Sequence, residues 1–439
     1  MASLPSGSGF TRRTLLGAGV SALAVGALAA CSTSGGGGGG AGKASQPLKF
    51  WNQPWGAPAF LTEDQRIAAA YKPKSGFGKI QYRQVQWANF TQTYSTAVAA
   101  NTGPAVSSGG GTQAFLFESQ GKIAYADDLL DSWKKNGIYD DFLPGLVDTL
   151  KTKNGYAAVP YNLDMRLFWY RKDLLEKAGV QAPTTWDEFE NVCKALKKQG
   201  IYGYGTYSGA GAFTGGHTLV AHMINNGGGL FNENQEVDAV TDANIQAMEW
   251  VIGLVKNGYV DPRSGTYTSA NAYAQMNANK FGMIWDGAGT PANVNASVAS
   301  NLEVGTPLTG PSGKKGALYF PNNIMMYKNT PSQAASEAFL TYYYQNMKTL
   351  WTKKTGIGLA PLQSIVKAAY ADDPKTTAIV ENWQPISKTW GAPGQNTVFL
   401  NVTKVDGTQP MINFAQTILA GKTDAKTALT TLQNALKSA

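Results

Sequence analysis

"NGYAAVPYNLDMRLFWYRKDLLEKAGVQAPTTWDEF", residues 154–189, holds a strand signal and a helix signal in close succession. The run LFWYR (167–171) is apolar and aromatic, which predicts a β-strand. Thr185 stands three residues before Glu188, which is the spacing of a capping box, and predicts the start of a helix that stops at Gly200. A strand followed closely by a helix is typical of α/β architecture.

The same alternation of strands and helices continues outward from this stretch. Strands are predicted for PLKFWN (47–52), KIQYRQVQW (79–87) and KFGMIW (280–285), and EDQRIAAAYK (63–72) predicts a helix between the first two. This order favours parallel sheets joined by crossover helices. About 390 residues after the leader are enough to bury a core without disulfides, most naturally as two lobes. The predicted fold class is therefore α/β in two lobes.

The first 30 residues have the order of an export signal. Arg12 and Arg13 come before an apolar run of small residues from 15 to 30, and no acidic residue interrupts it. A positive segment followed by a short apolar one predicts export rather than a membrane span. The arginine pair resembles a twin-arginine signal.

The next segment predicts an anchor and a spacer. LAAC (28–31) resembles the lipobox of bacterial lipoproteins, in which the chain is cut before the cysteine and the thiol carries lipid. The glycines at 35–40 favour a flexible tether, so residues 31–46 are expected to link a lipidated Cys31 to the folded part. The alternative is a plain secretory peptide with an accidental cysteine.

Charge and cysteine content narrow the class of protein. The net charge of +8 becomes +6 once the two arginines of the export signal are removed, and charged residues are only 15% of the chain. The basic residues are scattered, which argues against nucleic-acid binding. With Cys31 assigned to lipid, Cys193 has no partner for an intramolecular disulfide. Its place on the apolar face of the predicted helix indicates a buried thiol.

The sequence offers no metal or catalytic motif of the usual spacing. The two histidines, His217 and His222, are five apart and do not share a helical face, so a zinc site is not predicted. ILAGKT (418–423) lacks the first glycine of a phosphate-binding loop, because Gln416 stands there. We expect no cofactor and no metal, although a glycosidase pair formed by distant acids stays open.

Aromatic and amide side chains are concentrated where turns are expected. The chain has 11 Trp and 20 Tyr, and several stand beside Asn, Gln, Gly or Pro, as in WNQPWGAP (51–58), QWANF (86–90) and KTWGAPG (388–394). Aromatic rings match the C–H faces of sugars, and polar side chains match their hydroxyls. Because open α/β sheets bind ligands at the carboxyl ends of their strands, these loops predict a sugar site. For any single tryptophan, core packing is the competing interpretation.

The chain resembles the extracellular solute-binding proteins of ATP-driven importers, in the carbohydrate-binding branch that includes maltose-binding protein. The resemblance spans almost the whole mature chain and is densest over residues 154–189, with weaker matches at LKFWN (48–52) and FGMIWDG (281–287). It implies a two-lobe Venus-flytrap fold, each lobe a mostly parallel sheet flanked by helices. The implied division is 47–161 plus 318–365 for lobe 1 and 162–317 plus 366–439 for lobe 2.

The resemblance also implies binding positions in the cleft between the lobes. Asp164, four residues past Pro160, matches an acid that accepts hydroxyl hydrogen bonds in maltose-type members. The other implied positions are Asn52, Gln53, Trp55, Thr112, Trp285, Asp286 and Asn322.

Two departures from the maltose-type pattern widen the set of candidates. Relatives place Trp where this chain has Gly289, so ring stacking falls to other loops, with Trp87, Trp383 and Trp390 as candidates. Arg166, two residues after Asp164, predicts either a bidentate anchor for a carboxylate or phosphate or a salt bridge at the hinge.

The expected function is that of a non-catalytic receptor. It would be lipid-anchored on the outer face of the cell membrane, monomeric, and able to capture a sugar or small oligosaccharide for delivery to an ABC permease. The first alternative is a receptor for a phosphorylated or acidic polyol such as a glycerophosphodiester. The second alternative is a secreted carbohydrate-active enzyme.

Overall fold

The computed structural model describes residues 41–87 and 90–439, so the predicted export signal and Cys31 lie outside the described residues. In chain order the strands are Leu48–Asn52 (β1), Ile80–Gln84 (β2), Val106–Gly109 (β3), Ile123–Ala124 (β4), Lys151–Thr152 (β5), Gly155–Tyr156 (β6), Val159–Met165 (β7), Leu167–Arg171 (β8), Tyr202–Gly205 (β9), Phe281–Asp286 (β10), Leu302–Val304 (β11), Ala317–Tyr327 (β12) and Ser387–Lys388 (β13).

Helices separate most of these strands along the chain. They are Ala41–Ala44 (α1), Pro58–Ala69 (α2), Phe90–Ala99 (α3), Gln113–Ser119 (α4), Asp127–Asn136 (α5), Lys172–Ala178 (α6), Trp186–Lys197 (α7), Thr214–Asn225 (α8), Asp242–Lys256 (α9), Ser269–Asn277 (α10), Ala296–Ala299 (α11), Gln333–Asn346 (α12), Thr349–Thr352 (α13), Gln363–Ala369 (α14), Pro374–Ala378 (α15), Gln409–Ala420 (α16) and Ala425–Lys437 (α17).

The first lobe is built on a sheet in the order β13-β12-β3-β1-β2, with β4 and β7 also paired to β12. β1 runs parallel to β2 and β3, whereas β12 runs antiparallel to β3, β4 and β7. Every residue of β12 is buried, and this long strand pairs with four other strands of the sheet. The second lobe is built on a sheet in the order β11-β8-β10-β9, against which α6, α7, α8 and α10 pack.

The observed sheets agree with the α/β fold class but correct one detail of it. Both are mixed rather than mostly parallel, because β8 runs antiparallel to β10 and β11, and β12 runs antiparallel to three neighbours. The reason lies in the route of the chain. β7 belongs to the first sheet and β8 to the second, and only Arg166 separates them, so extended strands rather than crossover helices connect the lobes.

The helix predicted after the quoted strand forms as α7. Thr185 caps it by accepting a hydrogen bond from the Glu188 amide, and the helix gives way to Gly200 in a left-handed conformation. The reciprocal contact differs from a standard capping box, because the Glu188 carboxylate accepts from the amide and hydroxyl of Thr184, at 2.7 Å each, one residue earlier. Cys193 is a buried free thiol on this helix, as predicted.

The described residues contain no helix with the length and apolar character needed to cross a bilayer. Within the same residues, no group of three His, Cys, Asp or Glu side chains is placed to hold a metal ion. The implied lobe boundaries stay a prediction. The strand pairing keeps β7 in the first sheet as far as Met165, and β12 enters that sheet at Ala317.

Candidate ligand-binding site

A cavity of about 710 Å3 lies between the two sheets, a size typical of small-molecule sites. Its walls come from the loops after β1 and β3, from β7 and β12, and from α8 and residues 403–407. The carboxyl ends of β1 and β3 therefore face the cavity, as expected for ligand sites of α/β sheets. The lining residues are Trp55, Trp87, Phe90, Thr91, Tyr94, Ser95, Gly110, Gly111, Thr112, Gln113, Leu116, Phe117, Asn162, Asp164, Arg166, Phe213, His217, Gly289, Phe320, Asn322, Gly356, Gly358, Thr403, Asp406 and Gly407.

Aromatic rings form one end of this cavity. Trp55 and Trp87 meet edge to face with ring centroids 4.9 Å apart, and Trp87 meets Phe90 in the same way at 5.5 Å. Trp87 is 41% exposed, and Phe213 of the second lobe, also at the cavity, is 38% exposed. Large rings left open in a cleft offer flat apolar faces, which suit the C–H faces of a sugar.

Trp55 is held in place by buried polar groups behind it. Its indole nitrogen donates to Oδ1 of Asn52 at 3.1 Å and to the Ser108 hydroxyl at 3.0 Å. The Asn52 amide in turn donates to Asp64 at 2.7 Å. Complete burial raises the pKa of Asp64 to about 6, against the lowering effect of the donors around it. Asn52 therefore supports an aromatic wall of the cavity rather than lining the cavity itself.

Buried amides form a second part of the wall, and some of their polar atoms are not used by the fold. Asn322 donates to Oδ1 of Asn162 at 3.0 Å across the β12–β7 pairing. The Asn162 amide nitrogen and both polar atoms of Gln113 have no hydrogen-bond partner among the described residues. Leaving such groups unpaired costs free energy, and these atoms are themselves buried, so the amides give this wall its polar character without presenting these particular atoms to a ligand.

The charged groups of the cavity form one connected chain. Arg166 is buried and donates from Nη1 to Oδ2 of Asp164 at 2.8 Å. Its Nη2 lies 2.9 Å from Nδ1 of His217, and Nε2 of His217 lies 3.1 Å from Oδ1 of Asp406. With His217 neutral, these four side chains together carry two negative charges and one positive charge. The wall as lined is therefore net negative and contains no lysine.

The structure brings half of the predicted site residues to this cavity. Those that line it are Trp55, Trp87, Thr112, Asp164, Arg166 and Asn322. Their contact with a ligand stays a prediction. Arg166 adopts the second of its two predicted roles, a salt bridge at the crossing between the lobes.

Two other predicted site residues, Trp285 and Asp286, have structural roles in the second lobe instead. Trp285 is in the core of the second lobe, stacked on Phe168 at 4.7 Å between centroids. Asp286 accepts hydrogen bonds from the hydroxyls of Tyr207 and Tyr273, both at 3.0 Å. Burial raises the pKa of Asp286, although the charge of Arg166 opposes this. Neither residue lines the cavity.

Three further predicted site residues are also buried away from the cavity surface, namely Trp383, Trp390 and Gln53. The Trp383 indole donates to the Gly305 carbonyl at 2.9 Å. Trp390 packs edge to face behind the rings of His217 and Phe320, which do line the cavity. Gln53 is fully buried beside Asn52, with no partner for its side-chain amide among the described residues.

Local sequence patterns did not indicate several of the cavity residues, although one signal for them was present. Asn162, Asp164 and Arg166 alternate along the quoted stretch, and alternate residues of a strand face the same side. That rule extends the Asp164 prediction to Asn162. His217 and Asp406 are 189 residues apart, so no local pattern indicated their pairing.

Three comparisons relate this chain to known proteins. Residues 60–348 match the family described as bacterial extracellular solute-binding protein. The crystal structure of a sugar transporter from Arthrobacter chlorophenolicus A6, with bound laminaribiose, is 45% identical in sequence, with a TM-score of 0.80. The match covers 89% of this chain and 99% of that one.

Two further similarities are at lower identity. An ABC transporter solute-binding protein from Thermotoga lettingae TMO, bound with α-D-tagatose, shares the fold at 20% identity and a TM-score of 0.68, covering 90% of this chain and 99% of that one. A diacetylchitobiose binding protein from Streptomyces coelicolor is 27% identical over 209 residues, which is 44% of each chain.

These matches agree with the two sheets and the cavity between them. The family and its structural neighbours are binding proteins of ABC transporters rather than enzymes. The chain belongs to the bacterial extracellular solute-binding proteins.

Proposed function

We propose that this protein captures laminaribiose, or a closely related uncharged disaccharide or short oligosaccharide, between its lobes and delivers it to an ABC permease. The observation that carries this proposal is the cavity, whose wall combines open aromatic rings, amide side chains and a net negative charge. The bound laminaribiose of the 45% identical sugar transporter supports the choice of sugar.

The proposal includes attachment to the outer face of the cell membrane. Cys31 would carry the lipid and the glycine-rich residues after it would tether a monomeric receptor. The predicted tether over 31–46 ends earlier than expected, because α1 forms at Ala41–Ala44 and the Gly78 amide donates to the Ala44 carbonyl at 2.9 Å. The support is the order of the N-terminal sequence, with paired arginines, an apolar run, LAAC and glycines.

The charge of the cavity wall disfavours the phosphorylated or acidic polyol. Such a ligand needs a free cation, and Arg166 is already engaged by Asp164 and His217. The wall carries no lysine to replace it. An anion would therefore meet two carboxylates and one compensated guanidinium.

Isothermal titration calorimetry on residues 32–439 tests the proposal. We expect laminaribiose to bind, glycerophosphocholine to give no heat of binding, and reducing-sugar assays to detect no hydrolysis. Asp164→Asn should weaken binding about tenfold or more, because a hydroxyl–carboxylate hydrogen bond becomes a neutral one. Glu176→Gln, at an exposed residue of α6, is the matched control and should bind like the wild type.

Two results would overturn the proposal. Binding of glycerophosphocholine without binding of any neutral sugar would favour the acidic-polyol receptor. Consumption of laminaribiose by the wild-type protein would establish an enzyme instead.

A further inference from the structure

Arg166 occupies the one position between β7 and β8, where the chain passes from the first sheet to the second. Its guanidinium lies 4.7 Å from the Phe320 ring centroid and is held between Asp164 on one side and His217 on the other. Apart from Arg166, no described residue donates a hydrogen bond to the Asp164 carboxylate. Its Oδ2 binds Arg166, while its Oδ1 accepts no hydrogen bond from the described residues and lies beside the open backbone of Gly287.

The partners of His217 determine which ring nitrogen carries its proton. An arginine can only donate hydrogen bonds, so Nδ1 of His217 must present its lone pair to Nη2 of Arg166. The proton then sits on Nε2, which donates to Oδ1 of Asp406. Both ring nitrogens are used within the protein, so His217 lines the cavity without a free hydrogen-bonding atom for a sugar hydroxyl.

We propose that His217 is a positioning residue of the ligand site: held as the Nε2–H tautomer by Asp406, it fixes Arg166, and Arg166 in turn aims the free oxygen of Asp164 at the ligand. This inference rests on the sugar-binding function proposed above. His217 lies on α8, and Asp406 lies just before α16. Both elements would therefore affect ligand binding indirectly, through Arg166 at the crossing between the lobes.

The linked hydrogen bonds of Asp406, His217, Arg166 and Asp164 make ligand affinity depend on pH. A proton on Nδ1 would place an N–H group against Nη2 of Arg166, so the contact would become repulsive. Burial, together with the charge of Arg166, lowers the pKa of His217, while Asp406 and Asp164 oppose the shift. Asp286 also faces Arg166 from the end of β10. Affinity should therefore be constant above pH 6.5 and fall at acidic pH as His217 becomes protonated.

Two substitutions separate the two contacts of His217. In His217→Asn, Oδ1 reaches the position of Nδ1 and can still accept from Arg166, but the contact with Asp406 is lost. In His217→Gln, the amide nitrogen reaches toward Asp406 and Oε1 then lies away from the Nδ1 position, so the acceptor that faces Arg166 is lost. Neither side chain titrates. His217→Phe keeps the ring packing against Phe320 and Trp390 and lacks both contacts.

Titration calorimetry with laminaribiose between pH 5 and pH 8 measures the consequence. We expect His217→Gln and His217→Phe to lose affinity about tenfold or more at pH 7.5, since a charge-assisted hydrogen bond is removed. His217→Asn should recover most of that loss, with an affinity that no longer falls at acidic pH. Equal affinities for the Asn and Gln variants, or an unchanged acidic fall in both, would overturn the proposal.

Nuclear magnetic resonance on the ligand-free protein keeps this test independent of the sugar. The chain has only two histidines, so 15N imidazole spectra resolve each of them. We expect the Nε2–H tautomer for His217 at pH 7.5, and exchange of the Arg166 guanidinium protons that is faster in His217→Gln than in His217→Asn. A Nδ1–H tautomer, or equal exchange in both variants, overturns the positioning role. If these spectra agree but laminaribiose does not bind the wild type, the choice of sugar fails and the positioning role stands.

Discussion

His222 lies five residues after His217 in α8 and serves the core instead of the cavity. Its Nε2 is 3.0 Å from the Tyr204 hydroxyl, and its ring meets Trp285 and Trp250 edge to face at 4.7 and 5.2 Å. Complete burial lowers the pKa of His222 to about 3. The folded protein therefore holds a neutral imidazole at a pH where the same residue in an unfolded chain would be protonated.

This difference predicts acid-sensitive folding. Above pH 6.5 the stabilisation is complete, and it should be lost by about 1.4 kcal/mol per pH unit as the pH falls from 6.5 toward 3. In His222→Gln, which does not titrate, that slope should be absent. Urea unfolding of both proteins from pH 7.5 to pH 4.5 measures the difference, in which the shared contributions of His217 and Asp64 cancel. A difference in stability that stays constant with pH would contradict the buried neutral imidazole.

The tryptophans show which residue roles the sequence could indicate. Trp55 and Trp87 line the cavity because their loops follow the carboxyl ends of the parallel strands β1 and β2, and their contact with a ligand stays a prediction. Trp285 stands at the end of a strand too, but its ring turns into the core against Phe168, and Trp383 is buried in a helical segment. The side to which a strand residue points depends on the twist and pairing of the sheet. Composition next to a turn does not contain that information.

At the scale of elements, α7 packs on β9 so closely that one glycine is required. A Cβ at Gly203 would lie 2.5 Å from Cα of Cys193 and 2.4 Å from its Sγ. Because Cys193 is small and Gly203 has no side chain, α7 and β9 can pack in direct contact. Gly253 in α9 is the opposite case, because a Cβ there would meet no atom of another element within 4 Å.

Two alanine substitutions test this contact. Gly203→Ala should destabilise the protein by roughly 1–3 kcal/mol, because the clash involves backbone and cannot be relieved by a rotamer change. Gly253→Ala should stabilise it by about 0.5–1 kcal/mol through helix propensity. Thermal unfolding of both variants beside the wild type measures the shifts. Equal and small effects would mean that α7 can move away from β9 at little cost.

Helices were easier to predict than sheet pairing for a physical reason. Capping and apolar periodicity are local, so the start of α7 at Thr185 follows from a few neighbouring residues. β12 instead pairs with β7, more than 150 residues earlier in the chain, and with a bulge at Asn322 and Asn323. A long-range partner and its register leave no local pattern, which is why the mixed sheets were not anticipated.

At the scale of the whole molecule, the cavity has walls from both lobes and the chain crosses between them at Arg166. A ligand that contacts both walls binds better when the lobes are closed, so it shifts the population toward that state. Aromatic rings of the first lobe and Phe213 of the second would then enclose the same sugar.

This arrangement predicts a more compact molecule in the presence of ligand. Small-angle X-ray scattering of residues 32–439 should give a smaller radius of gyration with saturating laminaribiose than without it. The wild type with glycerophosphocholine, which is expected not to bind, is the control, and its radius should stay unchanged. An identical radius for the free and bound wild type, when calorimetry shows binding, would mean that the lobes are already closed around the cavity. Recognition would then depend on the preformed wall alone, and Arg166 would act as a rigid strut between the sheets rather than as part of a hinge.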